Sequence, residues 1–184
     1  MSVVAVAVVA LSVAVTACAA PNSTPAADDH NDADVAFATQ MIPHHQQALD
    51  MIAMTEGLEL SPEFAELTQA MKAAQRDEIG LMESWLDAWG VDPATAEADH
   101  MSMMNDDSMG MMTEDDLTAL NGAAPADFEA MWLTMMIEHH QGAIDMAQDQ
   151  LANGTDSDAR ALATGIVAAQ EAEIAQMESM IAAG

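Results

Sequence analysis

The chain carries one block of sequence twice, and this duplication restricts its fold more than any other feature. Met41-Ile42-Pro43-His44-His45-Gln46-Gln47-Ala48-Leu49-Asp50-Met51 returns 95 residues later as Met136-Ile137-Glu138-His139-His140-Gln141-Gly142-Ala143-Ile144-Asp145-Met146. The offset continues without a gap. Leu67, Ala73, Ala74, Gln75, Glu78, Ile79, Met82 and Glu83 recur as Leu162, Ala168, Ala169, Gln170, Glu173, Ile174, Met177 and Glu178. A chain built this way has two equivalent halves, related by a pseudo-two-fold axis.

Each half reads as a helical hairpin. A first helix runs from about Asp34 to Glu56 and ends at Gly57. Ser61 caps a second helix, which has Pro62 at its first position and stops at Gly90, just past Trp89. In the second copy a helix from about Asp127 to Ala152 ends at Asn153-Gly154, and Asp156 or Ser157 caps a last helix reaching the C-terminus. Phe128, Trp132, Met135, His139, Ala143 and Met146 form one apolar stripe, and Leu133, Met136, His140, Ile144, Ala147 and Leu151 form the adjoining one. A hairpin with one such arc cannot bury it alone. Two hairpins packed together predict an all-α, ferritin-like four-helix bundle. The lack of Tyr, with only three Phe and three Trp, agrees with this, because strands favour aromatic and β-branched residues.

The segment between the hairpins, Gly90 to Ala126, is far longer than a tight turn needs. A helix of about 28 residues is about 42 Å long, so this segment can cross the whole bundle. Thr113-Glu114-Asp115-Asp116 opens a short extra helix through Leu120. The expected layout is a leader at 1–17, a flexible tether at 18–32 and one domain at 33–184. Within that domain, repeat one is 33–89, a Met-rich crossover is 90–126 and repeat two is 127–184.

The formal net charge is −28, with Lys72, Arg76 and Arg160 as the only Lys or Arg. Such a surface repels phosphate backbones, which excludes nucleic acid as a partner. Cys18 is the single cysteine, and it follows an apolar run at residues 3–17. Val15-Thr16-Ala17-Cys18 has the order of a lipoprotein signal, with Pro21, Asn22, Ser23, Thr24 and Pro25 behind it. The expectation is an exported bacterial lipoprotein, lipidated at Cys18 and anchored on the outer face of the cell membrane or in the periplasm. No Lys or Arg precedes the apolar run, which departs from the usual signal. An ordinary secretory leader with an incidental cysteine is the alternative.

Four of the six histidines sit in the duplicated blocks, each pair three and four residues after a methionine. Residues so spaced are neighbours on a helix, so Met41 with His44 and His45, and Met136 with His139 and His140, form matching sulfur-nitrogen sets. Imidazole with thioether suits copper better than calcium or magnesium. Counting outward from the hairpin loop puts His45 level with Ala74–Gln75 and Met41 with Glu78. Gln75, Glu78, Gln170 and Glu173 are therefore placed to orient the imidazoles through their second N–H. A buried histidine bonded to a Gln or Glu across a bundle is equally a satisfied core residue that needs no metal. The crossover supplies a second donor set: His100, Met101, Met103, Met104, Met109, Met111 and Met112. These lie among Asp and Ser residues, which reads as an exposed segment suited to Cu(I) or Ag(I); an ordered Met-rich cap on the bundle is the alternative. Protonation near pH 6.5 removes an imidazole's lone pair, whereas thioethers do not titrate.

The paired M-I-x-H-H-Q-x-A-[LI]-D-M blocks, each followed by Q-x-x-E-I-x-x-M-E, resemble the bacterial family called domain of unknown function 305. The resemblance spans about residues 33–184. It implies an exported ferritin-like bundle, in some members copper-binding, with His44, His45, His139, His140, Met41 and Met136 at the matching positions. The sequence thus points to an extracytoplasmic, membrane-anchored protein that sequesters or handles copper, most simply as Cu(I). It contains no phosphate loop, no nucleophile elbow and no cysteine beyond Cys18, so an enzyme is not expected. Two alternatives stand beside this reading. One is a ferritin-like di-metal oxidoreductase, whose sites need Glu-x-x-His; here Met41, Ile42, Met136 and Ile137 precede the histidines by three. The other is a metal-free structural module of the envelope.

Overall fold

In a computed structural model, residues 30–92 and 109–183 are described. They form five helices, and no strand occurs among them: α1 Asp32–Ala53, α2 Pro62–Trp89, α3 Glu114–Asn121, α4 Pro125–Asn153 and α5 Ser157–Ala183. Among these residues no helix is long and apolar enough to cross a membrane.

The helix ends follow local chemistry. Asn31 and Asp34 make a reciprocal capping box at the start of α1, and Thr113 with Asp116 does the same for α3. The Ser61 hydroxyl accepts the Phe64 N–H at 3.3 Å, with Pro62 in the first turn, and Gly90 ends α2 at φ 71°. The α4 helix starts at Pro125, two residues before the expected position, because proline fits a first-turn site that needs no N–H donor. Its far end is covered by Arg160, whose Nη1 donates to the carbonyls of Leu151 and Gly154. The Asp156 carboxylate accepts from the Asp158 and Ala159 N–H groups and so caps α5.

The hairpins are α1–α2 and α4–α5, and they meet chiefly across α1 and α4. Those two helices run antiparallel. Trp132, early in α4, donates its indole N–H to the carbonyl of Met51, late in α1, at 2.9 Å. At the opposite end Asp34 reaches Gln150.

The core divides into two clusters that exchange under the duplication. One gathers Met51, Phe64, Leu67, Met71, Trp132, Met136 and Met177. The other gathers Phe37, Met41, Met82, Leu86, Ala143, Ala159 and Ile166. Phe37 corresponds to Trp132, Met41 to Met136, Met82 to Met177 and Ile166 to Met71. Between the clusters, midway along α1 and α4, lie the four paired histidines. An apolar bundle closed at both ends by such clusters removes water from whatever occupies its middle layer.

Candidate metal centre

Because α1 and α4 are antiparallel and related by the pseudo-axis, His44 meets its counterpart His139. Their ring centroids lie 3.7 Å apart, tilted by 35°. Successive helical residues point about 100° apart. His45 and His140 therefore turn away from this pair, each toward the second helix of its own hairpin. Nε2 of His45 donates to Glu78 Oε2 at 2.7 Å, and Nε2 of His140 donates to Glu173 Oε2, also at 2.7 Å. All four imidazoles are buried, while both carboxylates keep an edge in solvent.

The partner of His45 is thus one turn farther from the loop than backbone counting predicts. Side chains lean toward the N-terminus of their helix. His45 leans away from the loop and Glu78 leans toward it, so they meet across the offset. Gln75 and Gln170 are buried as well, but the Oε1 of each makes no hydrogen bond.

These contacts fix the tautomers. Carboxylates and carbonyls only accept, so the proton sits on Nε2 of His45 and His140, and on Nε2 of His44, which donates to the Met109 carbonyl at 3.0 Å. On His44, which burial keeps neutral, Nδ1 then holds a lone pair. The Nδ1 atoms of His44, His45 and His140 and both nitrogens of His139 are buried without a hydrogen-bond partner among the described residues. Burial, reinforced by neighbouring His45, pushes the pKa of His44 down to about 3, against the opposing pull of the Met109 carbonyl. Burial and the adjacent His44 likewise hold His139 well below its ordinary value. Neither ring titrates near pH 6.5 as a solvated histidine does. Both stay in the neutral form that ligates metals.

A buried polar atom left without a partner costs about 1–3 kcal/mol. Several such nitrogens in one layer fit a cation that accepts imidazole donors. Among the described residues no three His, Cys, Asp or Glu side chains converge on one point. The arrangement therefore suits a cation of low coordination number rather than a closed cage.

The methionines divide differently from the sequence pattern. Met41 and Met136 are both fully buried but belong to opposite core clusters, one on each side of the histidine layer. Met109 and Met111 are half-buried, and Met112 is packed into the core cluster that also holds Trp132. This end of the Met-rich segment is therefore held against the bundle, as the ordered-cap alternative expects, rather than exposed. Cys18, His100, Met101, Met103 and Met104 lie outside the described residues.

Sequence reasoning missed how the crossover is seated. Gln47 grips it twice: its Oε1 accepts the Met112 N–H at 2.7 Å, and its Nε2 donates to the Met112 carbonyl at 2.8 Å. The counterpart of Gln47 is Gly142, and there the crossover backbone takes the space of the missing side chain. A Cβ on Gly142 would land on the Met109 carbonyl, and one on Gly110, at φ 68°, would strike the Glu138 carbonyl. The signal lay in the motif itself, since Gln47/Gly142 and Pro43/Glu138 are its two sharpest mismatches. Among the described residues the crossover bonds His44, and His139 has no equivalent bond.

Comparison with known proteins agrees with this architecture. The family model described as domain of unknown function (DUF305) matches residues 34–181. A fragment of that family from Deinococcus radiodurans is 28% identical with a TM-score of 0.73, over 84% of this chain and 98% of the other. A candidate secreted protein of the family from Streptomyces coelicolor is 30% identical with a TM-score of 0.73, over 82% and 92%. CopM in its Cu(II)-bound form is 32% identical with a TM-score of 0.69, over 80% and 95%, and it is also known in Cu(I)-bound and silver-bound forms. No curated protein matches. With the duplicated hairpins and the paired histidines in place, and a family match over nearly the whole described region, the chain belongs to the DUF305 family.

Proposed function

We propose that this protein binds copper as Cu(I) in the histidine layer and holds or passes it on outside the cytoplasm. The observation that carries the reading is the set of buried ring nitrogens without partners on His44, His45, His139 and His140. Neutral Nδ1 donors in a dry layer favour a soft monovalent ion, which loses little hydration and accepts few ligands. Glu78 and Glu173 keep the proton on the far nitrogen and leave Nδ1 free, the role that carboxylates play behind metal-bound histidines. The copper- and silver-bound forms of CopM support the choice of metal, and the Streptomyces relative supports an exported location. Lipidation of Cys18 would keep the domain at the membrane, and mass spectrometry of the mature chain checks it.

The role is binding rather than catalysis. A di-metal oxidoreductase needs more carboxylates than Glu78 and Glu173 bring to this layer. The metal-free alternative draws on a specific contact, the direct stacking of His44 on His139. NMR of the chain with 15N-labelled histidine separates the readings. Added Cu(I) should move the Nδ1 resonances of the motif histidines while the Nε2–H signals of His45 and His140 persist. Copper bound with all four rings unmoved would overturn the proposal.

A further inference from the structure

We propose a second soft-metal site, for Cu(I) or Ag(I), in the groove that Met112 of the crossover and Met131 and Met135 of α4 line together. This groove has a volume of about 480 Å³, and its remaining lining includes Asp116, Thr134 and Glu138. Met131 and Met135 are four residues apart on α4, so they stand on one face, half-buried, and Met112 closes the groove from the crossover side. Thioethers are neutral donors that favour soft monovalent ions. Glu138 at the rim, on a chain of net charge −28, adds attraction for a cation without competing as a soft ligand.

The duplication supplies an internal control. Under the 95-residue offset Met131 and Met135 correspond to Ala36 and Gln40, which line a groove between α1 and the far end of α4, of about 230 Å³. The same bundle position is thus filled without a thioether on that helix in repeat one. Core packing alone does not demand methionine there. The groove also adjoins the crossover residues that bond His44 and Gln47, so an ion held in it sits beside the cover of the histidine layer.

The proposal rests on reading the protein as a handler of soft monovalent metal, yet the two sites can be tested apart. The full chain, labelled with 13C at the methionine methyls, is titrated with Ag(I), and both the equivalents bound and the assigned methyl shifts are followed. The methyls of Met112, Met131 and Met135 should move together. The M131L/M135L variant, which conserves volume, should bind one equivalent fewer while the histidine nitrogens still respond. A Met146→Leu variant, altered in the repeat-one groove, should lose no equivalent. Thermal unfolding confirms that each variant is folded. Unmoved methyls at these three positions, or an unchanged number of equivalents in the double variant, would overturn the groove site and leave the histidine reading standing. Shifts confined to the groove would uphold it and remove the other.

Discussion

Asp34 and Glu129 occupy the same position in the two repeats and tie equivalent pairs of elements, but the structure gives them very different surroundings. Asp34, early in α1, reaches the loop before α5 and accepts hydrogen bonds from Gln150, the Thr155 and Asp156 N–H groups and Asn31. It is buried. Glu129, early in α4, reaches the matching loop before α2 but takes only Ser61, through its hydroxyl at 2.6 Å and its N–H at 3.4 Å, in an exposed setting. Duplication therefore preserved the plan, by which each hairpin's first helix caps the other hairpin's second, while letting the strength of the two ties diverge. Gln47 and Gly142 show the same divergence on the crossover side.

Asp34→Ala should destabilise the protein most. It strips the acceptor from several buried donors and removes half of the α1 capping box, and should lower stability by about 3 kcal/mol. The substitution also tests a pH window. Burial would raise the Asp34 pKa, but bonds from Gln150, Asn31, Thr155 and Asp156 outweigh it and hold the carboxyl below its ordinary value. A group depressed on folding contributes stability that is fully present above its unfolded pKa, about 3.9. That contribution is lost as pH falls through the lower folded value. Urea unfolding between pH 6 and 2.5 should show a steeper acid loss in wild type than in the variant. Parallel curves would mean the tie does not depend on charge.

Gly142→Ala should come next, at about 2 kcal/mol of lost stability, and its sign is the informative part. Inside a helix alanine normally gains about 1 kcal/mol over glycine. Here the added methyl displaces the Met109 carbonyl, so the gain becomes a loss and His44 loses its partner. Gln47→Ala should cost about 1–2 kcal/mol by releasing both bonds to Met112. Thermal unfolding of the two variants reads the comparison directly. A stabilised Gly142→Ala protein would show that the crossover does not rest on α4.

Much of this architecture is legible in the sequence because its determinants are local. Ser61-Pro62, Thr113 with Asp116, and Gly90 mark helix ends by their own side chains or backbone, and the structure keeps those ends. The histidine layer was legible through the duplication, and the Glu78 and Glu173 partners through hairpin counting with one turn of error. Three features were not. The stacking of His44 on His139 depends on how two distant helices pack. The seat of Met109 and Met112 depends on contacts 65 residues away from His44 and Gln47. The burial of Met112 cannot be read from an Asp- and Ser-rich neighbourhood, because the crossover is placed by the groove it crosses rather than by its own periodicity.

Glu129→Ala removes a half-buried residue whose carboxylate orients the exposed Ser61 hydroxyl, which in turn accepts the Phe64 N–H at the start of α2. Ser61 can still cap the helix without it, so the loss should be about 0.5 kcal/mol, the scale of an exposed charged contact. Removing the cap itself with Ser61→Ala should cost about 1 kcal/mol. The order Asp34→Ala, Ser61→Ala, Glu129→Ala then measures what burial and the number of donors add to one tie at a fixed position in a duplicated fold. Equal losses at Asp34 and Glu129 would break the comparison. The two ties would then be worth the same whatever their surroundings, and the strength of the cross-hairpin contact would lie in the backbone geometry the repeats share.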